Sequence, residues 1–396
     1  MKKLSDFVLK MEPSVTLSAS SRAKALKAEG RDIIDLTLGQ PDFKTPEAIA
    51  NSAVSAIQDG RASFYTQASG LPELKTAVSS YWERYYGYPV NENQVLVTAG
   101  AKFALYAYFM TVLDAGDEVI IPAPYWVSYV DQVKMAGGKA VIVEAKQEHD
   151  FKVRADELEA VRTDKTKVLL LNSPSNPTGM IYSKEELTAI ANWAVEHDLL
   201  ILADDIYHQL VYNGAEFTAM SSISEDIRAR TTVINGVSKT FAMTGWRIGI
   251  AVGDPELIGA MAKIASQTTS NPTAVSQYAS IEAFGQAVSK DVESMRQAFE
   301  ERLNRIYPLL QEVPGFEVIK PDGAFYLFPK VEEAMRLTGF NDVTAFTTAI
   351  LEEAGVALVT GAGFGAQGHV RLSYATDMES LLEAVRRIKA WMESRQ

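Results

Sequence analysis

The middle of the chain alternates short runs rich in β-branched residues with segments of helical character. Several runs are apolar at successive positions, which is typical of strands buried on both faces of a mostly parallel sheet covered by helices. The seven predicted strands are Gln94–Thr98, Glu118–Pro122, Lys139–Val143, Lys167–Asn172, Leu199–Asp204, Thr231–Gly236 and Ile248–Val252. The pattern therefore predicts an α/β fold built on a seven-stranded sheet.

Capping residues indicate where three helices begin. Ser183 and Glu186 have the spacing of a capping box and predict a helix that starts at this point. Thr45-Pro46 and Asn271-Pro272 each place a capping residue before a proline at the first helical position. The second pair predicts one long helical stretch that runs to about Leu310.

The C-terminal third mixes short strands with helices, which predicts a smaller α+β domain. We expect the large domain to span 47–290, and the small domain to combine 1–46 with 291–396. The strands predicted in the small domain are Phe316–Ile319, Ala324–Phe328, Val356–Thr360 and Val370–Tyr374, and its helices are Val343–Glu353 and Glu379–Glu393.

Composition limits the classes of function. The 396 residues are 47% hydrophobic and 22% charged, which fits a globular protein of two or three domains. A net charge of −12 disfavours nucleic acid as a partner, and the apolar stretches are too short to span a membrane. The chain contains no cysteine, which excludes disulfides and thiolate metal sites and suits a cytoplasmic protein. None of the four histidines has metal-ligand spacing to another histidine or to a pair of carboxylates. No metal is expected.

The segment 235–249 contains the most informative chemistry. Lys239 follows a predicted buried strand, and Arg247 lies eight residues further on among small and hydroxyl residues that include Ser238. Burial lowers the pKa of a lysine and makes its neutral amine a carbonyl nucleophile. An arginine fork can hold a phosphate through two contacts. A lone lysine here is more often a solvated loop residue.

Other segments have ordinary interpretations when each is taken alone. Asp204 and Asp205 end an apolar strand and could cap the next helix, and the turn 172–179 is common turn chemistry. The junction 98–105 places small residues at a helix N-terminus, which favours anions but also suits simple packing. The loop 363–368 has G-x-G-x-x-G spacing, but a strand follows it, so we interpret it as a glycine-rich loop.

Taken together, these segments resemble the class I aminotransferases of pyridoxal-phosphate (PLP) fold type I, in the aspartate aminotransferase branch. The stretch Ser238-Lys-Thr-Phe-Ala-Met-Thr-Gly-Trp-Arg247 is similar to the Schiff-base motif of that family. The resemblance extends from Gly39-Gln-Pro-Asp42 to Arg371-Leu-Ser-Tyr-Ala375. It implies the fold type I architecture, a large sheet domain with a smaller α+β domain, and PLP as the cofactor.

The resemblance also implies a role for each site residue. For the cofactor ring, it implies a Schiff base at Lys239, a carboxylate at the pyridine nitrogen from Asp204 with Asp205 as the rival, a stacking Trp126, and phenolic-oxygen contacts from Tyr207 and Asn176. For the phosphate, it implies Gly100, Ala101, Lys102, Ser238, Arg247, and Tyr65 from a neighbouring subunit. For the substrate carboxylate, it implies Arg371, Asn176 and Gly39, with Trp126 beside the substrate.

The resemblance implies an enzyme that moves an amino group from an L-amino acid to a 2-oxo acid through a ping-pong aldimine/ketimine mechanism. Aspartate and 2-oxoglutarate are the first expectation, and shared active sites imply a homodimer. No residue is identified for a distal carboxylate, and Gly236 stands where many relatives have a phosphate-binding serine. An aromatic or broad-specificity aminotransferase and a PLP-dependent C–S lyase remain alternatives.

Overall fold

The computed structural model describes residues 3–9, 11 and 15–395. The helices of the described residues are α1 (Asp6–Leu9), α2 (Val15–Ala28), α3 (Glu47–Gln58), α4 (Pro72–Tyr86), α5 (Ala101–Val112), α6 (Ser128–Met135), α7 (Ala155–Val161), α8 (Lys184–Glu196), α9 (Glu225–Arg230), α10 (Pro255–Thr268), α11 (Ala274–Ala283), α12 (Ser289–Gln311), α13 (Glu332–Thr338), α14 (Val343–Ala349) and α15 (Met378–Glu393).

The strands are β1 (Ile34–Asp35), β2 (Val95–Thr98), β3 (Glu118–Ala123), β4 (Lys139–Glu144), β5 (Thr166–Asn172), β6 (Leu200–Asp204), β7 (Thr231–Gly236), β8 (Gly249–Val252), β9 (Tyr326–Leu327), β10 (Val356–Ala357), β11 (Val359–Thr360) and β12 (Val370–Ser373). The large sheet has the order β2-β8-β7-β6-β5-β3-β4, and β8 runs antiparallel to both of its neighbours. All seven predicted strands are confirmed, each end within one residue.

Successive apolar residues in the central strands bury both faces of this sheet. In β5, Leu169 and Leu171 pack into the hydrophobic cluster on one face, while Val168 and Leu170 pack into the cluster on the other. Helices cover both faces, so an alternating polar position would leave a polar group in the core. The predicted α/β class with a mostly parallel sheet is therefore confirmed.

A second group of elements lies around a separate hydrophobic cluster that contains α12, α15 and the small sheets. β12 joins β11 and β9 in an antiparallel sheet, and β1 pairs with β10 in parallel. Within α12, Val292 packs with the large sheet's cluster, whereas Met295 and Phe299 belong to the second cluster. The division at 46/47 and 290/291 stays a prediction.

Several predicted elements in this part of the chain differ from the structure. The strand predicted over Val356–Thr360 is divided at Leu358 into β10 and β11, which belong to different sheets. Residues 316–319 form no strand, because only Glu317 pairs with Lys330 in an isolated bridge. The long helical stretch begins at Ala274 and is interrupted after Ala283, where Gly285 weakens helical continuity before α12 starts.

The helix predicted to start at Thr45-Pro46 begins at Glu47, with Pro46 at the position before the first turn. The Thr45 hydroxyl does not cap this helix. It donates to the Ala242 carbonyl oxygen at 3.0 Å and accepts a hydrogen bond from Trp246 at 3.0 Å. The predicted capping box of Ser183 and Glu186 is confirmed by reciprocal hydrogen bonds at the start of α8.

No helix within the described ranges is long and apolar enough to cross a membrane. The loop around 363–368 contains a short turn and leads into β12 without a helix, as predicted from the strand that follows it. The same described residues contain no group of three or more metal-ligating His, Asp or Glu side chains.

Candidate active site

The carboxyl ends of β5, β6 and β7 meet at a cavity of about 480 Å³. Open α/β sheets bind ligands at this edge, because loops and helix N-termini converge there. Eleven of the thirteen predicted site residues line the cavity: Gly39, Ala101, Lys102, Trp126, Asn176, Asp204, Tyr207, Ser238, Lys239, Arg247 and Arg371. Residues far apart in sequence thus come together in one place.

Lys239 projects into the cavity from the loop that follows β7. Its amine donates a hydrogen bond to the Gly39 carbonyl oxygen and lies 5.9 Å from the centre of the Tyr207 ring. Burial, reinforced by the positive charges of Arg371 and Arg247, lowers the pKa of Lys239 to about 7. A substantial fraction of this amine is therefore neutral near pH 7, and a neutral amine is nucleophilic.

Asp204 is the last residue of β6 and Asp205 follows it, and the two side chains have different surroundings. Asp204 lines the cavity and accepts hydrogen bonds from the Tyr129 hydroxyl at 2.6 Å and the Ile206 amide at 3.3 Å. Asp205 is not among the cavity residues and accepts a hydrogen bond from Tyr86 at 3.2 Å. Burial raises the pKa of Asp204 to about 6. The geometry therefore favours Asp204 over its rival.

Arg371 and Asn176 form the opposite wall. Arg371 is 2% exposed, and its guanidinium donates to Asn176 Oδ1 at 3.0 Å and to the Thr37 carbonyl oxygen at 2.8 Å. Its Nε has no hydrogen-bond partner within the described residues. A buried guanidinium with an unused donor beside a cavity is suited to bind an anionic group there.

The N-terminus of α5 lies beside Arg247. Gly100 has a φ of +89°, and a Cβ at this position would lie 2.2 Å from a guanidinium nitrogen of Arg247. Gly249 at the start of β8 is equally constrained, because its Cβ would lie 2.3 Å from the Ala101 amide nitrogen. Close backbone approach therefore brings the free N–H groups of a helix start and an arginine to the same edge of the cavity.

Lys102 and Trp126 form a pair at the cavity wall. The Lys102 ammonium lies 4.8 Å from the centre of the Trp126 ring. Partial burial and the nearby charge of Arg247 lower the pKa of Lys102. Lys102 thus faces the cavity with its side chain as well as its backbone.

Two predicted site residues do not line the cavity of their own chain. Gly100 is not among the residues that line the cavity, although it adjoins Arg247 and Ala101, which do. Tyr65 is 92% exposed, and its neighbour Phe64 is 73% exposed. The structure therefore leaves the Tyr65 hydroxyl in solvent on the surface of the single chain.

The cavity includes residues that sequence reasoning did not single out. Tyr129 holds Asp204, and Tyr326 contacts both Tyr207 and Arg371. One face of α2 adds a further wall, formed by Thr16, Leu17, Ser20 and Lys24. The spacing of three or four residues along α2 was available in the sequence, but nothing in it indicated which element this face would meet.

Comparison with known proteins agrees with this geometry. The family model for aminotransferases of class I and II matches residues 31–388. The chain belongs to this aminotransferase family. It is 64% identical to an asparagine–oxo-acid transaminase of Streptococcus mutans, over 99% of this chain and 100% of that protein. It is 49% identical to an aspartate aminotransferase of Bacillus sp. strain YM-2, over 98% and 99%.

A solved structure has the same architecture. The aspartate aminotransferase from Thermus thermophilus with maleate superposes with a TM-score of 0.93 at 40% identity, covering 98% of this chain and all of that one. The protein is therefore an aminotransferase of fold type I, and enzymes of this family depend on PLP.

The residues present fit PLP. An aldehyde requires a nucleophilic amine, a phosphate requires a cationic cradle, and a pyridinium requires a buried carboxylate. Lys239, the edge formed by Arg247 with the α5 N-terminus, and Asp204 supply these three groups around one cavity. A Cβ at Gly236 would lie 2.8 Å from the Ile248 carbonyl oxygen, so backbone packing accounts for the glycine found there.

Proposed function

We propose that this aminotransferase takes L-aspartate as amino donor and 2-oxoglutarate as acceptor. The observation that carries this proposal is the charge of the cavity, which is lined by Lys24, Lys102, Lys239, Arg247 and Arg371. Both substrates carry two carboxylates, and after the α-carboxylate and the cofactor's phosphate are matched with Arg371 and Arg247, Lys24 and Lys102 remain for the distal carboxylate. Relatives named aspartate aminotransferase, one of them solved with a C4 dicarboxylate, support the same substrates.

PLP supplies an electron-accepting ring when bound. Lys239 holds the cofactor through its Nζ and afterwards, as a neutral amine, takes the proton from the donor's α-carbon. The Asp204 carboxylate would hold the pyridine nitrogen and stabilise a positive charge there. The Tyr207 hydroxyl and the Asn176 amide donate to the phenolic oxygen, and Trp126 packs against the ring.

The phosphate group is held by the edge around Arg247. Ser238 contributes its hydroxyl, and Gly100 and Ala101 contribute the backbone of the α5 N-terminus, where the helix dipole favours an anion. Arg247 adds two parallel donors. Lys239 and Arg247 lie in the same connection between β7 and β8. A phosphate held by Arg247 would therefore fix the position of the cofactor ring relative to Lys239.

The substrate is oriented by its α-carboxylate. Arg371 provides a planar two-point contact that lysine cannot reproduce, with Asn176 and the backbone of Gly39 completing the site. Lys102 lines the cavity, and its ammonium lies against the Trp126 ring, so we assign it to the distal carboxylate in addition to its backbone position near the phosphate. These assignments give each cavity cation except Lys24 a separate task.

Asparagine is the second candidate donor, because a relative 64% identical is named asparagine–oxo-acid transaminase. Thr16 and Ser20 of α2 line the cavity beside Lys24 and offer hydroxyl groups, which can accept from and donate to a carboxamide. A wall with both hydroxyl groups and a cation can accommodate either distal group.

The test is a parallel assay of L-aspartate, L-asparagine and an aromatic donor with 2-oxoglutarate, in which glutamate formation is measured. We expect aspartate to have the highest kcat/KM, with the Lys239→Ala variant as the inactive background. A higher kcat/KM for asparagine would replace aspartate in the proposal. Release of pyruvate and ammonia from a cystathionine-like substrate without any acceptor would favour the lyase instead.

We also propose that the enzyme is a homodimer in which Tyr65 reaches the phosphate of the neighbouring subunit. The exposure of Tyr65 and Phe64 supports this, because large apolar side chains in such exposed positions are frequent at subunit interfaces. The cytoplasmic location and the absence of a nucleic-acid partner stay predictions from composition.

A further inference from the structure

Tyr326 is a buried tyrosine that contacts three parts of the active site. It lies in the two-residue strand β9, which pairs with β12 so that Ser373 is its direct partner. Its side chain is 0% exposed and lines the cavity. The small antiparallel sheet therefore fixes the ring in one place at the cavity wall.

The hydroxyl of Tyr326 lies 2.8 Å from the hydroxyl of Tyr207. It also packs directly against Gly39, because a Cβ at Gly39 would lie 3.0 Å from the Tyr326 oxygen. The carbonyl of Gly39 accepts the hydrogen bond from the Lys239 amine. One phenol therefore adjoins both the residue assigned to the cofactor's phenolic oxygen and the backbone that positions the reactive lysine.

The face of the Tyr326 ring supports Arg371. The guanidinium carbon lies 4.5 Å from the centre of the Tyr326 ring and 5.0 Å from the centre of the Phe364 ring. Aromatic rings attract a guanidinium through their quadrupole, and the attraction is larger when water is excluded. The two rings thus hold the plane of Arg371, whose two terminal nitrogens donate to Asn176 and to the Thr37 carbonyl oxygen.

The hydrogen bond between the two hydroxyls has a defined donor once Tyr207 donates its own proton to the cofactor. A phenol carries a single proton, so a Tyr207 that donates to the cofactor's phenolic oxygen must accept from Tyr326. Burial raises the pKa of Tyr326, which keeps that proton on its oxygen. Hydrogen bonds in such a chain polarise one another, so Tyr207 becomes a stronger donor than it would be alone.

We propose that Tyr326 is a positioning residue with two separable functions: its hydroxyl strengthens and orients Tyr207, and its ring holds Arg371 for the substrate carboxylate. This inference rests on the role of Tyr207 given under the proposed function. Two charged residues, Arg371 and Asp204, influence the hydroxyl of Tyr207, and both are retained in every variant that tests this inference.

The first measurement is the pH titration of the visible absorption band of the PLP-loaded enzyme. Donation to the phenolic oxygen favours the deprotonated chromophore, so loss of the Tyr326 hydroxyl should move the midpoint upwards. For Tyr326→Phe we expect a rise of about 0.5 to 1 pH unit, the size of one neutral hydrogen bond. Tyr108→Phe is the matched control, because the buried Tyr108 hydroxyl has no partner within the described residues.

Two further variants distinguish the effect of the Tyr326 hydroxyl from the effect of its ring and test whether the hydroxyl acts through Tyr207. Tyr326→Phe keeps the ring and should leave the KM for the amino donor within about twofold, whereas Tyr326→Leu should raise that KM about tenfold. In a Tyr207→Phe background, Tyr326→Phe should produce no additional shift of the band, because the two hydroxyls act in series.

The outcomes distinguish this inference from the proposed function. If Tyr207→Phe leaves the band unchanged, the role of Tyr207 itself is wrong. If Tyr207→Phe shifts the band while Tyr326→Phe does not, or if the two shifts are additive, the positioning role of the Tyr326 hydroxyl is overturned. An equal KM for Tyr326→Phe and Tyr326→Leu would overturn the role of the ring.

Discussion

Lys239 and Asp204 illustrate at the level of single residues how burial prepares a site for its ligand. Burial lowers the pKa of Lys239 to about 7 and raises that of Asp204 to about 6, so the charged form of each residue is disfavoured by its surroundings in the protein. A positively charged pyridine ring would offset the free-energy cost of ionising the buried Asp204 carboxylate, because it supplies a counter-charge. The cofactor should therefore stabilise the fold.

The first prediction concerns Asp204→Asn in the enzyme without PLP. The pKa of Asp204 is higher in the folded state than in the unfolded state, so its contribution to stability is lost as the pH rises from about 4 to 6. Above pH 6 the asparagine variant should be more stable by roughly 2 to 3 kcal/mol. Urea unfolding of both apoproteins across this pH range measures the difference.

The same substitution should weaken PLP binding. Loss of a charge-assisted hydrogen bond is expected to raise the dissociation constant about 10- to 100-fold. Asp205→Asn serves as the comparison, because Asp205 does not line the cavity. A larger loss of affinity in Asp205→Asn than in Asp204→Asn would reverse the assignment of the two aspartates.

Asp204, which the resemblance implies for the carboxylate, lines the cavity, but the local pattern could not choose between Asp204 and Asp205. Successive side chains of a strand point to opposite faces, so one of the two had to face away from the ligand. Which face carries the cavity depends on the crossover connections of the whole sheet. That information is not contained in a stretch of six residues.

At the level of elements, the contact between α5 and β8 builds the edge that we assign to the phosphate, which is called the phosphate edge below. Gly100 and Gly249 allow the start of α5, the start of β8 and Arg247 to approach so closely that no methyl group fits at either glycine. Arg247 itself has a φ of +56°, which is uncommon for a residue with a side chain. This backbone conformation is maintained by the packing around it and directs the guanidinium towards α5.

The second prediction is that Gly100→Ala weakens binding of PLP without unfolding the protein. The added methyl group clashes with Arg247 and the positive φ is unfavourable for alanine, so the guanidinium must move away from the phosphate edge. We expect the PLP dissociation constant to rise at least about tenfold. Fluorescence titration of the apoprotein with PLP measures it.

Gly259→Ala is the control for this change. Gly259 lies in α10, and nothing lies within 4 Å of the position that a Cβ would take. Alanine is the better helix former, so this variant should keep its PLP affinity and gain slightly in stability. Equal affinity of the two variants and the native protein would contradict the role given to the phosphate edge.

Regular elements were predictable because their signals are local. Several strands of the large sheet are apolar at successive positions, and the capping box at Ser183 needs only residues of its own turn. The failures have non-local causes. Thr45 forms hydrogen bonds with residues some 200 positions away, and a single bridge at Glu317 does not extend into a strand.

At the level of the whole molecule, the site is incomplete in one chain if Tyr65 serves a neighbouring subunit. The third prediction follows from this division of labour. Lys239→Ala and Tyr65→Phe each impair both sites of their own homodimer. In a mixed dimer, one site combines both defects, and the other combines the intact Lys239 of one subunit with the intact Tyr65 of its neighbour.

Co-expression with two different affinity tags isolates the mixed dimer. We expect it to recover about half of the native kcat, at a PLP affinity close to that of the native enzyme, while the Tyr65→Phe homodimer binds PLP more weakly. If its remaining site instead had the weakened PLP affinity of the Tyr65→Phe homodimer, Tyr65 would act within its own chain. Sedimentation of the native enzyme as a monomer would exclude a shared site altogether.

The wall formed by α2 has a consequence for how this enzyme can change over time. The groups that bind and activate the cofactor project from strand ends and a helix start, whereas α2 borders the same space from the beginning of the chain. Part of the substrate-facing wall is thus encoded apart from the residues that hold the cofactor, while Lys102 of α5 stays with them. An exchange of the segment around Thr16 to Lys24 could redirect substrate choice while the reactive apparatus is inherited intact.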